Sequence, residues 1–119
     1  MDRHRSLTAW QHSHELAVAI HRAAARLPSV ERFELGSQLR RAATSVPANI
    51  AEGCARHGGA EFAHGLSIAL GSLGELDSLL ALVRDLGYLD ISTLDGLEQA
   101  RERASKAVFA LQRRLRGSG

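Results

Sequence analysis

Apolar residues recur along most of this chain at spacings of three and four, the signature of helices with one buried stripe. In the first segment, about 7–27, Leu16, Ile20, Ala23, Ala24 and Leu27 form the stripe, and Trp10 and Ala17 widen it. Pro28 stops it, because the residue before a proline is pushed out of the α region. Residues 29–32 are the expected turn. The second segment, about 33–57, carries Leu39, Ala42, Val46, Asn49 and Gly53 on one stripe. Pro47 falls inside it, where a missing donor and a ring clash cost about 3 kcal/mol in an unsupported helix. The stripe keeps its phase across the proline, which predicts one kinked helix and not two. Gly58 and Gly59 then end the segment.

The third segment, about 60–86, shows the strongest rhythm. Phe62, Leu66, Ala69, Leu73, Leu76, Leu80 and Val83 alternate steps of four and three, a coiled-coil-like seam. A second stripe holds only small residues: Ala60, Ala63, Ser67, Gly71, Gly74, Ser78 and Ala81. Each helical glycine costs roughly 1 kcal/mol relative to alanine. Close approach of a neighbour on this side would offset that cost, so neighbours are expected on two faces of the helix. Gly87 closes it. The fourth segment, about 91–115, is expected to be capped by Asp90 or Ser92. It carries Leu94, Leu97, Arg101, Ala104, Val108, Leu111 and Leu115 in register. Arg101 interrupts this stripe and is expected to lay its stem on the core with its head in water. Residues 117–119 read as a short flexible tail. Short turns between four long helices predict an all-α, antiparallel up-and-down four-helix bundle, one domain over residues 1–119.

Composition agrees with that reading. The apolar share is 45%, mostly Ala and Leu, and β-branched residues are scarce. At 119 residues the chain holds one core and not two. The polar first fifteen residues do not resemble a signal peptide, and no apolar run approaches the roughly 20 residues that span a bilayer. A cytoplasmic protein with no membrane partner is therefore expected.

The net charge of +2 is unevenly spread. Residues 60–90 set Arg84 against Glu61, Glu75, Asp77, Asp85 and Asp90, a net of −4. Residues 91–119 set Arg101, Arg103, Lys106, Arg113, Arg114 and Arg116 against Asp95, Glu98 and Glu102, a net of +3. A basic stripe of this kind attracts nucleic acid or pairs with an acidic neighbouring subunit.

Enzymatic chemistry finds little support. The lone Cys54 excludes an intrachain disulfide and a multi-cysteine zinc site, and it reads as a small apolar filler beside His57. His14 and His21 lie about 10.5 Å apart along one helix face, too far to grip one ion together. Glu61 and His64 form one Glu-x-x-His pair, whereas a di-iron bundle needs two. Neither a catalytic residue, a metal nor a cofactor is expected. The most informative polar group is Arg41, Ser45, Asn49, Glu52 and Arg56 around the proline. It reads as a structural network fixing the kink, or as a contact surface for a subunit or for phosphates.

At this strip a family resemblance appears. The run Gln38-Leu-Arg-Arg-Ala-Ala-Thr-Ser-Val-Pro-Ala-Asn-Ile-Ala-Glu-Gly53 resembles the 23S rRNA intervening-sequence proteins. So do Glu61-Phe62, Ser67-Ile-Ala-Leu-Gly-Ser-Leu-Gly-Glu-Leu76, Leu86-Gly-Tyr-Leu89, Trp10 and the Leu27 to Glu31 turn. These proteins are similar in turn to the accessory variability determinant proteins of diversity-generating retroelements. The resemblance implies a ring-shaped homopentamer of four-helix bundles without enzymatic activity. It also implies RNA or DNA as ligand and a reverse transcriptase or another protein as partner. That role belongs to the retroelement relatives, whereas the intervening-sequence members have no settled function. Its motif positions here are Arg40, Arg41, Ser45, Pro47, Asn49, Glu52, Gly53, Glu61, Ser72 and Glu75. Two departures stand out: Gly58-Gly59 where Ser or Thr would cap the third helix, and His21 where tyrosine is common.

Overall fold

The computed structural model describes residues 3–56 and 58–118, and every regular element among them is helical. Helix α1 is Thr8–Ala24, α2 is Leu35–Ala55, α3 is Gly59–Leu86 and α4 is Ile91–Ser118, with short 3-10 turns at Arg3–Ser6 and Ser29–Glu31. The helices run up and down. Each packs on its neighbours in the chain, and α4 closes the bundle against α1. The particle measures 46 × 21 × 20 Å, its long axis set by the 28 residues of α3 and of α4 at about 1.5 Å each.

One core runs through all four helices, and the stripes supply it. Leu16 and Ile20 of α1, Leu39, Val46 and Ile50 of α2, and Leu94 and Val108 of α4 are buried around the α3 ridge Leu66, Ala69, Leu73, Leu76, Leu80 and Val83. Phe62 and Leu115, at the ends of two stripes, are half-buried against it. Helix α2 passes through Pro47 without a break, as the unbroken stripe required, and the proline itself is buried.

The helix ends differ from expectation in three places. Helix α1 stops at Ala24, three residues early. Arg26 and Leu27 bond back to Ala23 and Ala24 in 3-10 fashion, so the last turn tightens ahead of Pro28. Helix α2 starts at Leu35, leaving Val30 and Phe33 exposed in the connection. Helix α4 continues through Gly117 to Ser118 where a flexible tail was expected, since nothing in its last turn interrupts the backbone ladder. His57 and Gly119, assigned to the end of the second helix and to the tail, lie outside the described residues.

Capping follows local chemistry. The α3 C-terminus is a Schellman motif. Gly87 adopts φ 70°, its N–H donates to Arg84 O, and the Tyr88 N–H donates to Val83 O. Gly58 at the other end of α3 supplies no side-chain cap, the weakness expected of the Gly58-Gly59 pair. Asp90, not Ser92, caps α4: its Oδ2 accepts from the Thr93 N–H at 3.0 Å and its Oδ1 from the Thr93 hydroxyl at 2.7 Å. These bonds, helped by Arg26, lower the Asp90 pKa to about 2. A carboxylate depressed in the folded state contributes stability above its unfolded value of 3.8, and that stability is lost as the pH falls toward 2. Thermal melts between pH 5 and 2 should therefore show a loss that Asp90→Asn largely removes from that window.

Helix α3 corrects one expectation. It is long and apolar enough, by length and composition, to cross a membrane. Its small residues raise the average without forming an uninterrupted run of large apolar side chains, and its large-residue ridge is the core of the bundle. The second expectation about α3 is met on one side only. The ridge has neighbours, but Ser67, Gly71, Gly74, Ser78 and Ala81 face outward, and a Cβ added to Gly71 or Gly74 would meet nothing within 4 Å.

Candidate functional site

Around Pro47 the polar strip turns inward and ties α2 to α3. Asn49 Nδ2 donates to Ser45 O at 2.8 Å and to Ser45 Oγ at 3.0 Å, and the Ser72 hydroxyl donates to the same Oγ at 2.9 Å. Motif positions from two helices thus form one small network, with Ser45 and Asn49 each about half a turn from the proline. Of the strip's five residues only Ser45 and Asn49 join this network; Glu52 and Arg56 pair with each other outside it. The carbonyl that Pro47 leaves without its helical donor is that of Ala43, and the network bonds lie beside it.

Just beyond the network the two helices come closest. A Cβ on Gly65 would lie 2.6 Å from the Asn49 carbonyl oxygen, and one on Gly53 would lie 3.3 Å from Phe62 Cα. The close approach leaves a shallow groove of about 240 Å³ bordered by Asn49, Glu52, Arg56, Glu61, His64 and Ile68. Arg56 spans it, 3.8 Å from Glu52 and 3.6 Å from Glu61. All three side chains are more than half exposed, so these pairs are worth at most about 1 kcal/mol each. Glu75 is exposed further along α3.

A second pair of motif segments meets at the opposite end. Tyr88, in the α3–α4 turn, donates its hydroxyl to Glu31 Oε2 at 2.9 Å, joining that turn to the one between α1 and α2. The acceptor carboxylate raises the tyrosine pKa above 10.0. His21 bonds Thr44 Oγ1 at 3.0 Å and links α1 to α2.

The candidate cations do not gather into one patch. Arg40 and Arg41 sit in the second turn of α2, near the end of the bundle where α4 begins. Arg113, Arg114 and Arg116 lie in the last turns of α4, at the other end. Arg40 folds back to donate to Arg32 O at 3.2 Å, half-buried over the turn before α2. Arg101 departs from the expected head in water: its side chain is 16% exposed, doubly bonded to Glu98 and 3.5 Å from Asp77 of α3. Glu98 is the main cause of its raised pKa. Burial of the stem brings the charged end within reach of both carboxylates, which removes Arg101 from the exposed cations. Arg84, the one cation of the acidic third segment, pairs with Asp95 of α4 at 3.2 Å, so it is the Arg101–Asp77 contact that neutralises part of α3 inside the chain. Arg116 bonds Gln112. Arg41, Arg103, Lys106 and Arg113 are exposed and have no side-chain partner among the described residues.

Sequence reasoning missed the cations of α1. Arg22 and Arg26, one turn apart, border the groove between α1 and α4 that also holds Arg103, a space of about 440 Å³. Tallying charge by sequence segment separated Arg22 from Arg103. The antiparallel pairing of the first and last helices was the signal that would have joined them.

Metal and thiol chemistry gain nothing from the geometry. His14 stacks on Trp10 at 4.7 Å while His21 bonds Thr44, and among the described residues no three metal-ligating side chains converge. Cys54 is buried, and its proposed neighbour His57 lies outside the described residues.

The fold matches a crystal structure of a protein of unknown function from the S23 ribosomal protein family of Bacteroides thetaiotaomicron VPI-5482. The TM-score is 0.82 at 24% identity, over 88% of this chain and 95% of that one. That likeness speaks for the fold. No functionally curated protein matches the chain. The model of the family described as 23S rRNA-intervening sequence protein matches residues 5–110, a span that takes in α1, α2, α3, the larger part of α4 and the Pro47 network. The chain belongs to the 23S rRNA-intervening sequence protein family.

Proposed function

We propose that this chain is a non-enzymatic bundle that self-assembles, as a pentamer, and binds nucleic acid through the cations its fold leaves unpaired. The observation that carries the reading is the set Arg41, Arg103, Lys106 and Arg113, exposed and without side-chain partners among the described residues, in a family named for an rRNA insertion. Long cationic side chains left in water gain by displacing counterions from a phosphate backbone. Neither a cofactor nor a metal enters the proposal. The resemblance to retroelement accessory proteins extends it to a reverse transcriptase as protein partner, for which co-purification is the test.

Salt dependence tests the nucleic-acid reading. Four phosphate contacts should give a log–log slope of affinity against salt of about −3 to −4. A flat titration overturns the reading.

The outward face of α3 favours a second reading, a purely structural assembly module. Gly71, Gly74, Ser67 and Ser78 make that face flat, and Ile68 and Leu82 add exposed apolar surface. If the exposed arginines serve only assembly, Arg41→Ala should lower the sedimenting mass from about five times the 12.8 kDa chain and leave RNA irrelevant. Under the nucleic-acid reading the mass stays and binding weakens.

A further inference from the structure

The groove between α1 and α4 has a cationic rim. Ala19 and Ala23 of α1 and Gly96, Leu97 and Ala100 of α4 line it between the arginines, so the surface there is apolar. Arg22 and Arg26 stand on one side, one helical turn apart and so about 5–6 Å between Cβ atoms. Arg103 stands on the other. The three differ in how they are held. Arg26 is fixed by Asp90 Oδ1 at 3.0 Å and Thr93 Oγ1 at 3.2 Å, which occupy two of its five N–H donors and leave three. Arg22 and Arg103 have no partner among the described residues. The acidic groups here are Asp90, engaged by Arg26 and Thr93, and Glu15, 3.5 Å from His12.

We infer that the α1–α4 groove is a binding track for the phosphodiester backbone of single-stranded nucleic acid, with Arg22 and Arg103 contacting successive phosphates and Arg26 as the pre-oriented anchor. This rests on the nucleic-acid reading and assigns it a place. The unpaired guanidiniums of Arg22 and Arg103 border one groove from opposite helices, and guanidinium forks match phosphate oxygens. No aromatic side chain borders the groove, so base stacking contributes nothing there and the track is indifferent to sequence.

The test uses the full chain and fluorescent 16-mers of uridine and of thymidine, titrated at several salt concentrations. Both oligonucleotides are expected to bind within a few-fold of each other, since the contacts are to phosphate. Arg22→Ala with Arg103→Ala, at exposed positions that leave the core intact, should weaken binding about tenfold or more and make the salt slope shallower by about 1.4, two single-strand contacts' worth. Glu15→Gln should tighten binding a few-fold by removing a carboxylate that lines the groove. If the wild-type chain binds with a steep salt slope and the double variant is unchanged, the groove assignment falls and the nucleic-acid reading stands. If neither oligonucleotide binds the wild-type chain, both fall. If a poly-glutamate peptide binds through Arg22 and Arg103 while the oligonucleotides do not, the groove takes an acidic protein partner and the assignment is overturned.

Discussion

Alanine at Gly65 is expected to destabilise the bundle by about 2 kcal/mol, against the trend that alanine favours a helix. Intrinsic propensity alone would make Gly65→Ala stabilising by about 1 kcal/mol. Position 65 faces α2, however, and a Cβ there would sit 2.6 Å from Asn49 O and 3.4 Å from Gly53 Cα. Both obstacles are backbone, so no rotamer change can clear them and the helices must move apart. Overpacking of that kind costs about 1–3 kcal/mol, and more when helix axes shift. Separation would also stretch the Ser72–Ser45 hydroxyl bond at 2.9 Å, adding the loss of a half-buried hydrogen bond. Gly71→Ala is the control, because its Cβ would enter open space. That variant should gain about 0.5–1 kcal/mol in the dissociated chain. Urea unfolding midpoints at low protein concentration compare the two. Equal shifts of the same sign would mean that α2 and α3 are not in this close register.

The contrast between these glycines marks where sequence reading succeeds and where it stops. Periodicity placed Leu66, Leu73, Leu76 and Val83 on the buried ridge because each apolar step of three or four reports a helix face without knowledge of any partner. The same periodicity assigned close approach to Gly71 and Gly74, whose stripe lies opposite the ridge and faces out of the chain. Gly65, the residue that does permit close approach, lies on neither stripe. Its role depends on the α2 carbonyl across from it, and a single helix's pattern carries no information about that atom. Arg101 shows the same boundary. Its place on a stripe of leucines foretold a stem along the core, but its pairing with Asp77 depends on how α3 and α4 are phased. The Pro47 strip was legible because its residues are local. Ser45 and Asn49 are one turn apart on the same helix, and only their link to Ser72 is long-range.

The two faces of α3 are separable by a pair of leucine substitutions, and this pair decides how the chain assembles. Leu73 is 1% exposed in the ridge, so Leu73→Ala removes buried methyl groups and leaves a cavity, a loss of about 2–5 kcal/mol. For a chain of this size that is a large share of a total stability of roughly 5–15 kcal/mol. Calorimetry should show it as a melting point lower by about 8–20 °C, at about 4 °C per kcal/mol. Leu82 is 47% exposed on the outer face, where Leu82→Ala should change the stability of the isolated chain by no more than about 0.5 kcal/mol. In the assembled particle the expectation differs. Under the proposal that α3's outer face is a subunit contact, Leu82 and Ile68 become buried against a neighbour. Flat Gly71 and Gly74 then let the two backbones approach. Truncating Leu82 would weaken association at least tenfold, the effect of losing one well-buried apolar side chain. Sedimentation across a hundredfold range of concentration measures that directly, and the unfolding midpoint at high dilution checks that the bundle itself is intact. An unchanged mass distribution for Leu82→Ala would place the assembly surface elsewhere, and the small-residue stripe would then be a solvated face whose glycines cost stability without return.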